Sequence, residues 1–241
     1  MPTTRTALVA LVLLSTACNK SEPAPAAESP ASEPKVAAPS AEKSAQAEAK
    51  PMQEKPSAVQ LAVVGKPAPD FTLPDLDGNE VELSAHKGKV VVLEWFNPNC
   101  PYVKATHSKG TLVDAAERYA KDGVVYLAIN SGASGKQGHG VEVNRDGAET
   151  FGMKHPILLD ESGSTGRAYG ATNTPHVYVI NAEGVLVYAG APDNSPDGEA
   201  ESPEGGELVR YLDAAVTETL AGKPVSQPTS KAWGCSVKYG S

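Results

Sequence analysis

Two cysteines, Cys100 and Cys235, are the residues of this chain best suited to covalent chemistry. Cys100 stands in Asn97-Pro98-Asn99-Cys100-Pro101-Tyr102-Val103, between the apolar run 90–96 and a stretch of helical character. A proline directly after the cysteine suits the first helical position, which puts Cys100 at the N-cap. Free backbone N–H groups at a helix start carry partial positive charge and favour a thiolate. Thiols in such places ionise at roughly pH 3.5–7.5, against about 8.5 unperturbed. Lys104, four residues on, lies on the cysteine's side of the helix and close enough to add its charge, whereas His107 is two turns away. The polar, proline-rich surroundings argue against a small buried core residue, the usual fate of a free cysteine.

The elements that must position this thiol alternate along the chain. Residues 71–73 and 81–83 flank Asp77-Gly78-Asn79, a hairpin signal. Runs 90–96 (VVVLEWF) and 124–130 (VVYLAIN) read as strands buried on both faces. A helix from Pro101, interrupted near Gly110, resumes over 111–121, and a polar helix is expected over 141–151. Strands at 157–159, 177–180 and 185–188 follow, and an amphipathic helix spans 207–220 with Leu208, Tyr211, Leu212, Ala215, Val216 and Leu220 on one face. Strands alternating with helices, with a late hairpin, imply an α/β domain whose sheet is mixed rather than purely parallel.

The segment GKPAPDFTLPDLDGNEVELSAHKGKVVVLEWFNPNCPYVK and the later Tyr169-Gly170-Ala171-Thr172-Asn173-Thr174-Pro175 carry a resemblance. They resemble the redoxin (alkyl hydroperoxide reductase/thiol-specific antioxidant) branch of the thioredoxin-like superfamily over about residues 64–190. The resemblance implies a thioredoxin-like fold with a central mixed β-sheet flanked by helices, a nucleophile at Cys100, and a cis Pro175 packed against it. It also implies a thiol-disulfide oxidoreductase acting on protein thiols and disulfides with a separate reductant, and it implies no cofactor and no metal. Two departures matter. Val103 stands where a second cysteine is usual, so no local disulfide can form. The peroxidatic Pro-x-x-x-Thr-x-x-Cys pattern is also absent, with Leu93 and Asn97 in its places. Peroxides are therefore the alternative substrate, with the Asn97 amide as the donor that would replace the threonine.

Cys235, in Lys231-Ala232-Trp233-Gly234-Cys235-Ser236-Val237-Lys238-Tyr239, is the candidate for the missing partner. The aromatic residues around it suggest a tail that docks. Cys235 could resolve an intermediate formed at Cys100, staple the fold, or remain unpaired. His176, directly after Pro175, could tune the thiolate or join a copper site, so a copper-handling protein and a non-catalytic partner-binding module stay open beside the enzyme. Asn97, Pro101, Lys104, Thr174, Pro175 and His176 are the expected site-shaping residues.

Arg5, the apolar stretch 7–14 and the small residues before Cys18 read as an export signal. A cysteine at that junction resembles the lipobox of bacterial lipoproteins, which implies lipidation at Cys18 and a membrane-anchored protein in the periplasm or on the outer surface. Residues 19–60 hold 11 Ala, 7 Pro, 6 Ser, 6 Glu and 5 Lys with no aromatic side chain, a disordered linker by composition. The expected layout is thus a leader over 1–18, linker 19–60, domain 61–222 and tail 223–241. Charges balance over the first 60 residues, so the formal charge of -8 belongs to the folded part and excludes a nucleic-acid footprint. Residues 131–138 resemble a phosphate loop but fail its pattern, with Asn130 for the first glycine and Gln137 after the lysine; a mobile rim loop is the expectation. The acidic stretch 191–207 reads as a solvated insertion, and His86, His139 and His155 as surface or loop residues.

Overall fold

The apolar run that ends in Trp95 and Phe96 becomes the centre of a five-stranded sheet. The computed structural model describes residues 60–241; the leader, Cys18 and residues 19–59 of the linker lie outside the described residues. Strand β3 (Val91–Trp95) is buried along its whole length. It pairs in parallel with β4 (Val125–Asn130) on one side and antiparallel with β7 (His176–Ile180) on the other. Beyond them lie β5 (Ile157–Leu159) and β8 (Leu186–Gly190), giving the order β5-β4-β3-β7-β8. The mixed sheet is the expected one. A two-stranded hairpin, β1 (Thr72–Pro74) with β2 (Glu80–Glu82), closes over Asp77-Gly78.

Period-two alternation sorts the sheet's side chains into two layers. Val91, Leu93 and Trp95 face a cluster with Phe71, Leu73, Leu83, Tyr169 and Tyr178, and so lie under the hairpin and α4 (Ser164–Tyr169). Val90, Val92, Val177 and Val179 face α2 (Ala115–Ala120) and α5 (Tyr211–Leu220) through Tyr119, Leu212, Ala215 and Val216. Each of these fully buried aliphatic side chains contributes roughly 1.5–3 kcal/mol. Helix α1 (Pro101–Ser108) follows β3, and α3 (Val141–Thr150) lies beside β5. This is a thioredoxin-like arrangement.

The structure departs from the sequence expectations in several places. Helix α5 begins at Tyr211, not 207, because the preceding backbone is engaged elsewhere: Val209 N donates to Asn194 Oδ1 at 2.7 Å, and Asn194 Nδ2 to Glu207 O at 2.8 Å. The acidic insertion is solvated only in its second half. Asp193 is wholly buried, hydrogen-bonded by Thr111 Oγ1 and Ser195 N, and burial holds its carboxyl above the usual range. The tail 223–241, by contrast, docks on the domain as its aromatic residues suggest. Thr229 bridges to Ala189 on β8, and β9 (Cys235–Ser236) pairs antiparallel with β6 (Asn173–Thr174).

Candidate functional site

Cys100 is the N-cap of α1, with extended backbone (φ −76°, ψ 124°) and Pro101 in the first helical turn. No side chain caps the helix, so its first N–H groups stay free beside the cysteine. The turn that delivers it is built by Asn97, whose carbonyl accepts from Cys100 N at 3.0 Å and whose Oδ1 accepts from Asn99 N at 2.9 Å. Asn97 Nδ2 donates to Gln137 O at 3.1 Å. Its amide therefore anchors the 131–140 loop. The loop itself is pinned, since Gly138 O accepts from both Asn130 and Asn144, and Gln137 Nε2 donates to Asn99 O. Gly138 has φ +81°, and a Cβ there would collide with Asn97, so loop and turn fit only through this glycine.

The thiol is more enclosed than its sequence context suggests. Cys100 is 0 % exposed, packed with Phe96, Val103, Ala128 and Ile157, and its Sγ donates to Thr174 O at 3.1 Å. Asn97 turns its side chain onto the loop, leaving the sulfur to the apolar layer. Thr174 precedes Pro175 through a cis peptide and faces Cys235 across the β6–β9 pair. Both cysteines are free thiols, Cys100 buried and Cys235 part-exposed. Cys235 packs on the Cys100 cluster. Burial, hydrogen bonding with Cys100 and the Cys100 charge push the Cys235 thiol up to about 11, while Lys238 opposes the rise.

The tail is held at many points. Trp233 Nε1 donates to Asp193 O at 2.9 Å, and its ring lies 6.5 Å from that of Tyr102 in the first turn of α1. Asn173 Nδ2 donates to Gly234 O at 2.9 Å. Gly234 has φ +107°, and a Cβ there would collide with the Thr174 carbonyl. Beyond the cysteine, Val237 N donates to Thr172 O, Tyr239 Oη to Ala171 O, and Arg167 lies over the Tyr239 ring. Among the expected site residues, the structure thus gathers Cys100, Pro101, Thr174, Pro175 and Cys235.

Others lie elsewhere. Lys104 is exposed, and its side chain borders a surface groove with Pro98, Asn99 and Asp146. His176 stacks on Tyr178 at 4.6 Å, with Nδ1 within hydrogen-bond distance of Tyr178 Oη (3.2 Å). Burial lowers its pKa to about 4. The imidazole thus stacks within its own strand, with Nδ1 turned to Tyr178. Among the described residues no three His, Cys, Asp or Glu side chains converge as metal ligands.

A buried polar group beneath α1 was not foreseen. Glu94, in the middle of β3, is 0 % exposed and meets His107 Nε2 at 2.9 Å and Tyr126 Oη at 2.8 Å. Burial alone would raise its pKa, but the His107 charge and the two hydrogen bonds outweigh it and hold the carboxyl low. His155, expected on the surface, lies against Tyr126 with ring centroids 4.7 Å apart, and burial lowers its pKa to about 4. The legible signal was a lone carboxylate inside an otherwise apolar strand, which burial forces to find a partner.

Residues 63–205 match the family model described as Redoxin. Curated relatives include the thiol-disulfide oxidoreductases ResA of Geobacillus thermodenitrificans, 32% identical over 129 residues (50% of this chain, 65% of that protein), and of Bacillus subtilis, 29% over 123 residues (51% and 64%). The chain spans just under two thirds of the length of these relatives. Among solved structures, an uncharacterised conserved protein from Geobacillus kaustophilus is similar at TM-score 0.63 and 32% identity, covering 75% of this chain and 94% of that one. A hypothetical protein from Sinorhizobium meliloti 1021 gives TM-score 0.63 and 29% identity, covering 74% and 96%.

Proposed function

Because the chain belongs to the Redoxin family, we propose that it works as a thiol-disulfide oxidoreductase with Cys100 and Cys235 as its redox pair. The observation that supports this most is Cys235 packed on the Cys100 cluster, paired across β6–β9 with Thr174, whose carbonyl accepts from Cys100 Sγ. The family match ends at residue 205, so the part played by Cys235 rests on this chain's own geometry.

The Cys100 thiolate attacks one sulfur of a protein disulfide, forming a mixed disulfide and releasing the first substrate thiolate. Cys235 then attacks Cys100 Sγ, closing the Cys100–Cys235 disulfide, and its proton goes to the second departing substrate sulfur. Beside a Cys100 thiolate, Cys235 is held as a thiol, pushed up by burial, by the hydrogen bond with Cys100 and by the Cys100 charge. The last two causes vanish once Cys100 carries the substrate, so Cys235 ionises more readily at the step that needs it. Cys100 is fully buried beneath the tail, so substrate access requires β9 to step aside.

The exported, lipid-anchored form read from Cys18 belongs to the same proposal, since a disulfide couple of this kind works outside the reducing cytosol. The experiment is a trapping assay with insulin as the disulfide substrate. Cys235→Ser accumulates a mixed disulfide at Cys100, and Cys100→Ser accumulates none. Equal adduct in both variants, or none in either, contradicts the assignment.

A further inference from the structure

The two sulfurs of the pair differ in how they can be approached. A thiolate attacks a disulfide along the S–S axis, from the side opposite the sulfur that leaves, so access behind each sulfur decides which one is struck. Cys100 has no exposed surface, and Phe96, Val103, Ala128 and Ile157 pack around it. Cys235 is part-exposed on a two-residue strand whose next residue, Ser236, faces solvent. Lys238, whose Nζ donates to Ser236 Oγ at 3.2 Å, places an ammonium on this side of the tail, a favourable approach for an anionic thiolate.

Resting on the Cys100–Cys235 pair proposed above, we propose that Cys235 is the sulfur through which reducing thiols deliver electrons, with the tail still seated. The incoming thiolate bonds to Cys235 Sγ, the Cys235–Cys100 bond breaks, and Cys100 leaves as a thiolate beside the free N–H groups of α1. A second thiol of the reductant then attacks its own sulfur in the mixed disulfide. The reductant is oxidised to a disulfide, and Cys235 leaves and takes a proton. The two cysteines thus divide the labour by direction. Cys235 accepts reducing equivalents from solvent, and Cys100 passes them to a disulfide once the tail has moved. The electron donor is a thiol slim enough to reach a single part-exposed sulfur.

The full chain, oxidised and shown by non-reduced peptide mapping to carry the Cys100–Cys235 disulfide, is mixed with glutathione as the probe thiol. It is quenched with acid within the first turnover, alkylated with N-ethylmaleimide and mapped by mass spectrometry. Glutathione on Cys235 with the alkyl group on Cys100 is expected in at least about tenfold excess over the reverse. Glutathione predominantly or equally on Cys100 overturns this inference and leaves the pair intact. Failure of oxidation to give the disulfide at all overturns the pair itself, and this inference with it.

Discussion

Replacing Gly234 by alanine is expected to open the tail and uncover Cys100. At φ +107° an L-residue is strained by about 1–3 kcal/mol, and the new Cβ is driven against the Thr174 carbonyl, the atom opposite Cys235. Both penalties fall on the seated tail and are relieved when β9 leaves β6. If the whole penalty enters the opening equilibrium, the open fraction rises about 5- to 150-fold, at 1.4 kcal/mol per factor of ten. Cys100 has no exposed surface when the tail is seated, so its alkylation by iodoacetamide reports that fraction directly. The rate should rise by the same factor, and the Cys100–Cys235 disulfide should become correspondingly easier to reduce. Gly206→Ala is the control, because its φ of +88° carries similar strain with nothing within 4 Å of the added carbon. An unchanged Cys100 alkylation rate in folded Gly234→Ala, or an equal rise in Gly206→Ala, refutes the reasoning.

Three further outcomes follow from the polar interior. His107→Ala leaves Glu94 buried with only Tyr126 beside it, and is expected to cost about 3–5 kcal/mol in urea unfolding. Adding Glu94→Gln to that variant should recover much of the loss, and no recovery would show that His107 acts by packing alone. His155 and His176 are both lowered by burial from 6.5 to about 4, so each is neutral when folded and takes up a proton when unfolded. Stability present above pH 6.5 is therefore lost as pH falls through about 4, by up to about 1.4 kcal/mol per pH unit for each histidine. His176→Gln should flatten the pH dependence of the urea midpoint, and an unchanged slope would contradict the burial argument. Trp233→Phe removes the bond to Asp193 O but keeps a ring beside Tyr102. It should raise Cys100 alkylation by several-fold, as expected for the loss of one hydrogen bond of about 1 kcal/mol.

What could be read in the sequence was whatever is written locally. Continuous apolar runs gave β3 and β4, and Pro101 after Cys100 marked the helix start, because both signals lie within a few residues of the element they specify. The pairing of β6 with β9 joins Thr174 to Cys235 through two-residue strands with no periodicity of their own, so only tertiary contact reveals it. Helix α4 was missed for a related reason: its six residues, STGRAY, are capped by Asp160 accepting from Gly166 N, and carry no apolar stripe. The enclosure of Cys100 also escaped, since the Asn97 side chain turns onto the 131–140 loop rather than toward the sulfur. Asp193 and His155 were read as surface residues by type, yet the insertion folds back onto Thr111, between α1 and α2, and the residues before β5 fold back onto Tyr126. In each case a side chain's partner lies far away in the chain.

The redox potential of the Cys100–Cys235 couple tests the central claim most directly. Equilibration of the full chain in glutathione buffers, followed by non-reduced peptide mapping, should give an intramolecular Cys100–Cys235 disulfide. Its potential should fall between about −270 and −120 mV, the range of exchange catalysts. A potential below about −300 mV, the range of structural bonds, would make Cys235 a staple. No Cys100–Cys235 linkage under any buffer would remove the pair altogether.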